Sequence, residues 1–274
     1  MISDVPESQR DNAVFYAFLD ALLRADWRQA DGALRLSADL ALADLMRSDF
    51  FTNARIFLTS LAETGADTTA TGNLNRVFVG GMFESFKLSR TYREETRQVC
   101  KVINELDFWA LHRARIVSEC AGLVTRRKKR FVVTKAGLEL LSDERAGELY
   151  RKLFIAYFRR YDLQYEFNLR DVPRIQRTMA VILWRLEIVA RDWRVVRGLA
   201  GEILLPEVHQ QLREAMVSKY DTEEWILAGY VLDALRQFGL IERKRKGEFG
   251  IEEKDFIRTT ELWRKFIKFA VVVG

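Results

Sequence analysis

Only two cysteines and two histidines occur among the 274 residues. Cys100 and Cys120 are too few for a disulfide framework, which points to a reducing, cytoplasmic setting. No His/Cys spacing resembles a zinc site, so no metal is expected. Three prolines and fifteen glycines leave no Pro/Gly-rich linker and argue against a β-sandwich. A run of about 18 consecutive apolar residues is missing, which argues against a membrane-spanning helix. Residues 1–10 are acidic and polar, unlike a secretory signal. Also absent is a glycine-rich loop between a strand and a helix, the usual nucleotide cradle. Gly80-Gly81 and Gly198-x-x-Gly201 fall in helix-period segments, where close helix packing is the expected use. His112 and His209 each sit in a helical pattern, far apart in sequence. The pairs Glu94-Glu95, Glu223-Glu224 and Glu252-Glu253 diverge on a helix because neighbours do not face each other. The chain therefore reads as non-catalytic, with no cofactor.

What is present is a folded composition, 49% hydrophobic and 12% aromatic, in a length that suits about two domains. Apolar residues recur at three- and four-residue steps through 12–23, 36–46, 53–61, 73–86, 94–103, 108–121, 146–161, 175–204, 207–216 and 222–238, the spacing of a buried helical stripe. Pro206 suits a helix start, and Thr222 before Glu223 and Glu224 reads as an N-cap with carboxylates in the first turn.

Two places break this rhythm alike. After Gly122 come Leu123-Val124-Thr125-Arg126, the polar run Arg127-Lys128-Lys129-Arg130, and Phe131-Val132-Val133-Thr134. After Gly239 come Leu240-Ile241-Glu242-Arg243, then Lys244-Arg245-Lys246-Gly247, and later Phe256-Ile257-Arg258-Thr259-Thr260. The glycine suits the left-handed position past a helix end, and the terminal threonine suits a helix cap. Helix, Gly-Leu strand, basic turn, strand ending in Thr, helix: this resembles the recognition helix and wing of a winged helix-turn-helix domain. The fold expected is mainly α, with helical segments and two winged-helix units whose wings are short β-hairpins. It divides into an N-terminal helical region at 1–89, a first winged unit at 90–142, a helical connector at 143–221 and a second winged unit at 222–274.

A fainter echo, Thr69-x-x-Gly72-x-Leu74 against Thr134-x-x-Gly137, leaves open a third unit inside 1–89. Asp26-Trp27-Arg28 and Asp192-Trp193-Arg194 suggest a further short repeat. The run 69–76, with Asp107-Phe108-Trp109 and Cys120-Ala121-Gly122-Leu123, resembles an uncharacterised bacterial plasmid-associated family. That resemblance implies a bacterial cytoplasmic origin and no known activity.

Residues 1–89 carry 8 Lys/Arg against 12 Asp/Glu, whereas 90–274 carry 36 against 27. The basic part points to a polyanion. At about 100° per residue, the helix at 108–121 turns Trp109, Ile116, Val117, Cys120 and Ala121 inward and His112, Arg115, Ser118 and Glu119 outward. The second such helix turns Trp225, Leu232 and Leu235 inward and Glu223, Tyr230, Asp233 and Gln237 outward. Carboxylates facing phosphates count against groove reading there. The wings carry the expectation instead. Arg115, Arg126, Arg127, Lys128, Lys129 and Arg130 in the first unit, and Arg243, Lys244, Arg245 and Lys246 in the second, are the candidate contacts to nucleic acid, duplex DNA in the first instance. The alternative is a protein–protein interaction scaffold, supported by the aromatic content and the apolar end 269–273. That end either packs within the chain or pairs with a second copy as a homodimer.

Overall fold

The computed structural model describes residues 7–163, 172–216, 221–244 and 250–270. The chain divides into two compact units. A split unit comprises 1–37, 163–236 and 240–274, and an inserted unit comprises 38–162 with 237–239. These units cut across divisions at 89, 142 and 221.

The split unit begins with α1 (Glu7–Leu23) and the short strand β1 (Leu34–Leu36). The inserted unit then runs α2 (Leu42–Leu45), α3 (Asp49–Thr64), β2 (Ala66–Asp67), α4 (Arg76–Ser85), α5 (Arg90–Val99), a 3-10 turn (Glu105–Asp107), α6 (Trp109–Cys120), β3 (Val124–Arg127), β4 (Arg130–Val133), α7 (Lys135–Glu139) and α8 (Ala146–Arg159). The pattern at 36–46 yields only one helical turn, Leu42–Leu45, with Leu36 in the strand β1 and 37–41 outside any helix.

In the inserted unit α3, α4 and α8 surround α6. Phe50, Tyr150, Phe154 and Tyr157 gather around Phe238, whose ring centroid lies 4.7 Å from that of Phe50 and 5.4 Å from that of Phe154. The Tyr150 hydroxyl donates to the Phe238 carbonyl at 2.7 Å, and burial pushes its pKa well up. The start of α8 runs so close to the preceding chain that a Cβ on Gly147 would lie 2.0 Å from the Ala38 carbonyl oxygen.

Back in the split unit, α9 (Pro173–Arg177), α10 (Met179–Val189), β5 (Arg194–Val195), α11 (Leu199–Ile203), α12 (Pro206–Ala215), α13 (Glu223–Leu227), a π turn (Ala228–Leu232), α14 (Asp233–Gln237), β6 (Ile241–Lys244), β7 (Phe256–Thr259), α15 (Glu261–Phe266) and β8 (Ile267–Phe269) follow. Pro206 opens its helix and the Thr222 side chain caps the next, accepting from Trp225 N–H. Against α10, Phe18 of α1 meets Trp184 edge-on with centroids 5.3 Å apart. Strand β8 pairs antiparallel with β1, Phe269 opposite Leu34. The apolar end therefore packs within the chain as far as residue 270, and 271–273 lie outside the described residues. Trp27 is buried whereas Trp193 is exposed, so the shared Asp-Trp-Arg triplets do not mark equivalent places.

Both hairpins form where the glycine and threonine signals place them. Gly122 and Gly239 sit at φ 69 and 74. The amides of Leu123 and Leu240 reach back to Ser118 and Leu235 carbonyls, each at 2.9 Å, closing the helix end. Thr134 and Thr260 cap the next helices, accepting from Gly137 and Trp263 amides. Each hydroxyl also donates to a carbonyl at the helix end, the Thr134 hydroxyl to that of Gly122 itself at 2.9 Å and the Thr260 hydroxyl to that of Leu240, next to Gly239, at 3.1 Å. Each hairpin gains a third strand that sequence pattern does not reveal, giving orders β2-β4-β3 and β5-β7-β6. The other glycine expectations fail. Gly80, Gly81, Gly198 and Gly201 would each carry a Cβ into open space, so none is a packing glycine.

Gly147→Ala forces a methyl against main chain rather than a movable side chain. The variant should lose about 1–3 kcal/mol of stability, read as a lower urea midpoint with unchanged slope.

Candidate nucleic-acid interface

The first hairpin is a minimal one. Val124 pairs with Val133 and Arg127 with Arg130, leaving the two-residue tip Lys128-Lys129. Lys128 is the one non-glycine residue with positive φ among those described, at 55. A side chain held there costs about 1–2 kcal/mol, so the tip keeps a cation where glycine would be easier. Thr68 N–H donates to the Lys129 carbonyl at 2.8 Å, clamping the tip against the strand β2. Residues opposite one another in an antiparallel pair share a face. Arg126 thus shares the face of buried Phe131, Arg127 shares the other with Arg130, and the lysines occupy the end.

Arg126, Arg127, Lys128 and Lys129 are all exposed, and none forms an ion pair among the described residues. Arg130 differs. It is exposed but meets Asp67 at 3.3 Å and donates to the Thr64 carbonyl.

Arg115 is not outward-facing. It is buried on α6, donating through Nε to Glu105 at 2.6 Å and through a terminal nitrogen to Glu119, with its guanidinium 5.0 Å from the Phe131 ring centre. His112 and Ser118 are buried on the same helix. The whole of α6 lacks an exposed residue, because α3, α4 and α8, the 3-10 turn and β3 cover its sides. The inward face read from periodicity is largely inverted. Trp109, Ile116 and Cys120 keep partial exposure, whereas His112, Arg115 and Ser118 are buried with Leu111 and Ala114, since helical spacing cannot announce the polar partner at Glu105.

The equivalent helix in the split unit departs for a different reason. Tyr230, read as outward, is 2% exposed, and Trp225, read as inward, is 47% exposed. The π turn at Ala228–Leu232 adds a residue to the helical repeat. It rotates Trp225 away from the face carrying Leu232 and Leu235. The second hairpin is unlike the first as well. Arg243 is nearly buried, ion-paired with wholly buried Asp255 and donating to the Gly250 carbonyl at 2.6 Å. Lys244 is exposed. Arg245 and Lys246 lie outside the described residues.

Sequence reasoning missed what lies beside the first hairpin. Thr69 does not cap a helix as its echo of Thr134 suggested, and α4 is capped instead by Asn75, whose side chain accepts from Phe78 N–H at 3.0 Å. Residues 69–73 close a loop, with Gly72 N–H on the Thr69 carbonyl at 3.0 Å and Thr69 N–H on the Asn73 carbonyl at 2.7 Å. With Asn104–Asp107 this loop lines a groove of about 620 Å³. Beneath it Glu105, 1% exposed, accepts from Leu74 N–H at 2.5 Å, from the His112 ring at 2.6 Å and from Arg115. Burial would raise the Glu105 carboxyl, but the His112 hydrogen bond, the Arg115 charge and the Leu74 amide outweigh it and hold it below its ordinary 4.5. Among the described residues no cluster of His, Cys, Asp and Glu could hold a metal ion, and no helix is long and apolar enough to cross a membrane.

A carboxyl lowered by folding stabilises the protein fully above its unfolded value of about 4.5, and that contribution is lost as pH falls through the folded value. Glu105→Gln leaves the Arg115 charge short of one buried partner and should cost about 3 kcal/mol at neutral pH. Urea titrations from pH 7 to pH 3 should show the gap between the two proteins narrowing in acid.

Residues 46–147 match the family described as the Y4jL N-terminal domain, a stretch holding α3, the groove and the first hairpin. No curated protein and no solved structure matches the chain.

Proposed function

We propose that the protein is a non-catalytic nucleic-acid-binding protein that contacts phosphates through the first hairpin, acting as a wing. Each unit runs in the same order, long helix, short strand, helices, a last helix, then a two-stranded hairpin closed by a capping threonine. That order is the one expected of winged-helix modules. The observation that carries the reading is the set of four exposed cations, Arg126–Lys129, with no ion pair among the described residues and with Lys128 held in a costly backbone conformation. Solubility alone needs no such strain, and a conformation of this kind points to use. Cations that displace counterions from phosphates give affinity without sequence preference. The buried surroundings of α6 speak against reading base edges in a major groove, the usual office of that helix.

A protein-interaction scaffold is the second reading, favoured by Val77 and Val99, which are 88% and 83% exposed. Binding to a 30-base-pair duplex, measured from 25 to 300 mM salt, separates the two. A wing that meets phosphates gives a negative log–log slope, and replacing Arg126, Arg127, Lys128 and Lys129 by alanine should reduce that slope by about 3–4. Arg115→Ala should leave the slope unchanged while lowering the thermal midpoint. Absence of binding at 25 mM salt would refute the wing reading and favour the scaffold.

A further inference from the structure

The groove beside the wing offers chemistry that phosphate binding does not need. Its walls carry the hydroxyls of Thr69 and Thr71, the amides of Asn73 and Asn104 and the Asp107 carboxylate, with Leu106 presenting exposed apolar surface. Its volume falls within the range of small-molecule sites. The Glu105 charge below is already met by three donors, so the floor does not act as a bare anion. Gly72, at φ +84, joins the groove to the wing, since a Cβ there would lie 3.1 Å from an Arg126 guanidinium nitrogen. A phosphate held by Arg126 therefore has its own base within reach of the groove.

We propose that this groove receives one unpaired nucleobase of a single-stranded polynucleotide whose flanking phosphates lie on Arg126–Lys129. The proposal rests on the wing reading above and names its substrate class. Paired bases in a duplex are stacked and cannot enter a groove, whereas single strands present their edges to amide and hydroxyl groups. Duplex recognition through α6 is disfavoured, because none of its residues is fully exposed and its one buried arginine is committed to Glu105 and Glu119. No aromatic ring lines the groove, so hydrogen bonds to the base edge and the Leu106 surface do the holding. Arg76, whose Nε donates to the Asn104 side-chain oxygen at 2.9 Å, lines the same groove and adds a positive charge to it.

The test compares a 12-nucleotide strand with the same strand made abasic at its central positions, by fluorescence anisotropy at 50 mM and 150 mM salt. Both strands carry identical phosphates. The expected result is at least tenfold weaker binding of the abasic strand with an unchanged salt slope. The double variant Thr71→Ala/Leu106→Ser, charge-neutral and at exposed positions, should erase that difference. Its thermal midpoint checks the fold, and if it melts early the single variant Thr71→Ala carries the comparison through a partial loss of base dependence. Ribose and deoxyribose versions show which sugar the site accepts. Equal binding of base-bearing and abasic strands, with the slope still reduced by the wing variant, would overturn the groove and leave the wing. Salt-dependent binding to neither strand nor duplex would overturn both.

Discussion

One buried carboxylate holds the candidate interface together. Glu105 sits on a 3-10 turn and collects hydrogen bonds from the loop at Leu74 and from His112 and Arg115 on α6. Arg115 in turn lies over Phe131, the inward-facing ring of β4. Loop, central helix and the base of the first hairpin thus share a single anchor. A carboxylate in so little water survives only because its lone pairs are occupied, and removing one partner leaves an uncompensated charge. The distance between the groove and Arg126 is a consequence of that requirement more than of any contact between them.

Local signals in the chain were enough to find the hairpins, and nonlocal ones were not. Gly122 and Thr134 act within a few residues of themselves, so their meaning survives without knowledge of the fold; Gly239 and Thr260 repeat it. Strands β2 and β5 are two residues each, too brief for alternation to show. The burial of Arg115 depends on Glu105, ten positions earlier and outside the helix. In the split unit a single π turn defeats any reading at fixed angular step, which is why Trp225 and Tyr230 exchange places. Among the candidate contacts, Arg126 to Lys129 are where charge counting puts them. Arg130 and Arg243 turned out to serve their own hairpins, since a basic residue in sequence carries no sign of whether an acid will fold beside it.

The two units share an element order yet use similar charge differently. In the inserted unit the strand cations face water and the tip is short. In the split unit Arg243 is turned against Asp255, itself fixed by the Glu252 amide at 2.8 Å. An arginine enclosed with its carboxylate contributes to the rigidity of a hairpin rather than to its reach. Duplication of a scaffold need not duplicate a surface, and function is argued from the site rather than from the fold.

Phe238 has a consequence for how the inserted unit comes to be made. Its ring lies among Phe50, Tyr150, Phe154 and Tyr157, but it leaves the ribosome long after residue 162. During synthesis the aromatic pocket stays unfilled for an interval on the order of several seconds. A nascent chain halted before that point leaves the rings of Phe50, Tyr150, Phe154 and Tyr157 without the side chain they enclose. Completion of this module is thereby tied to the arrival of nearly the entire polypeptide.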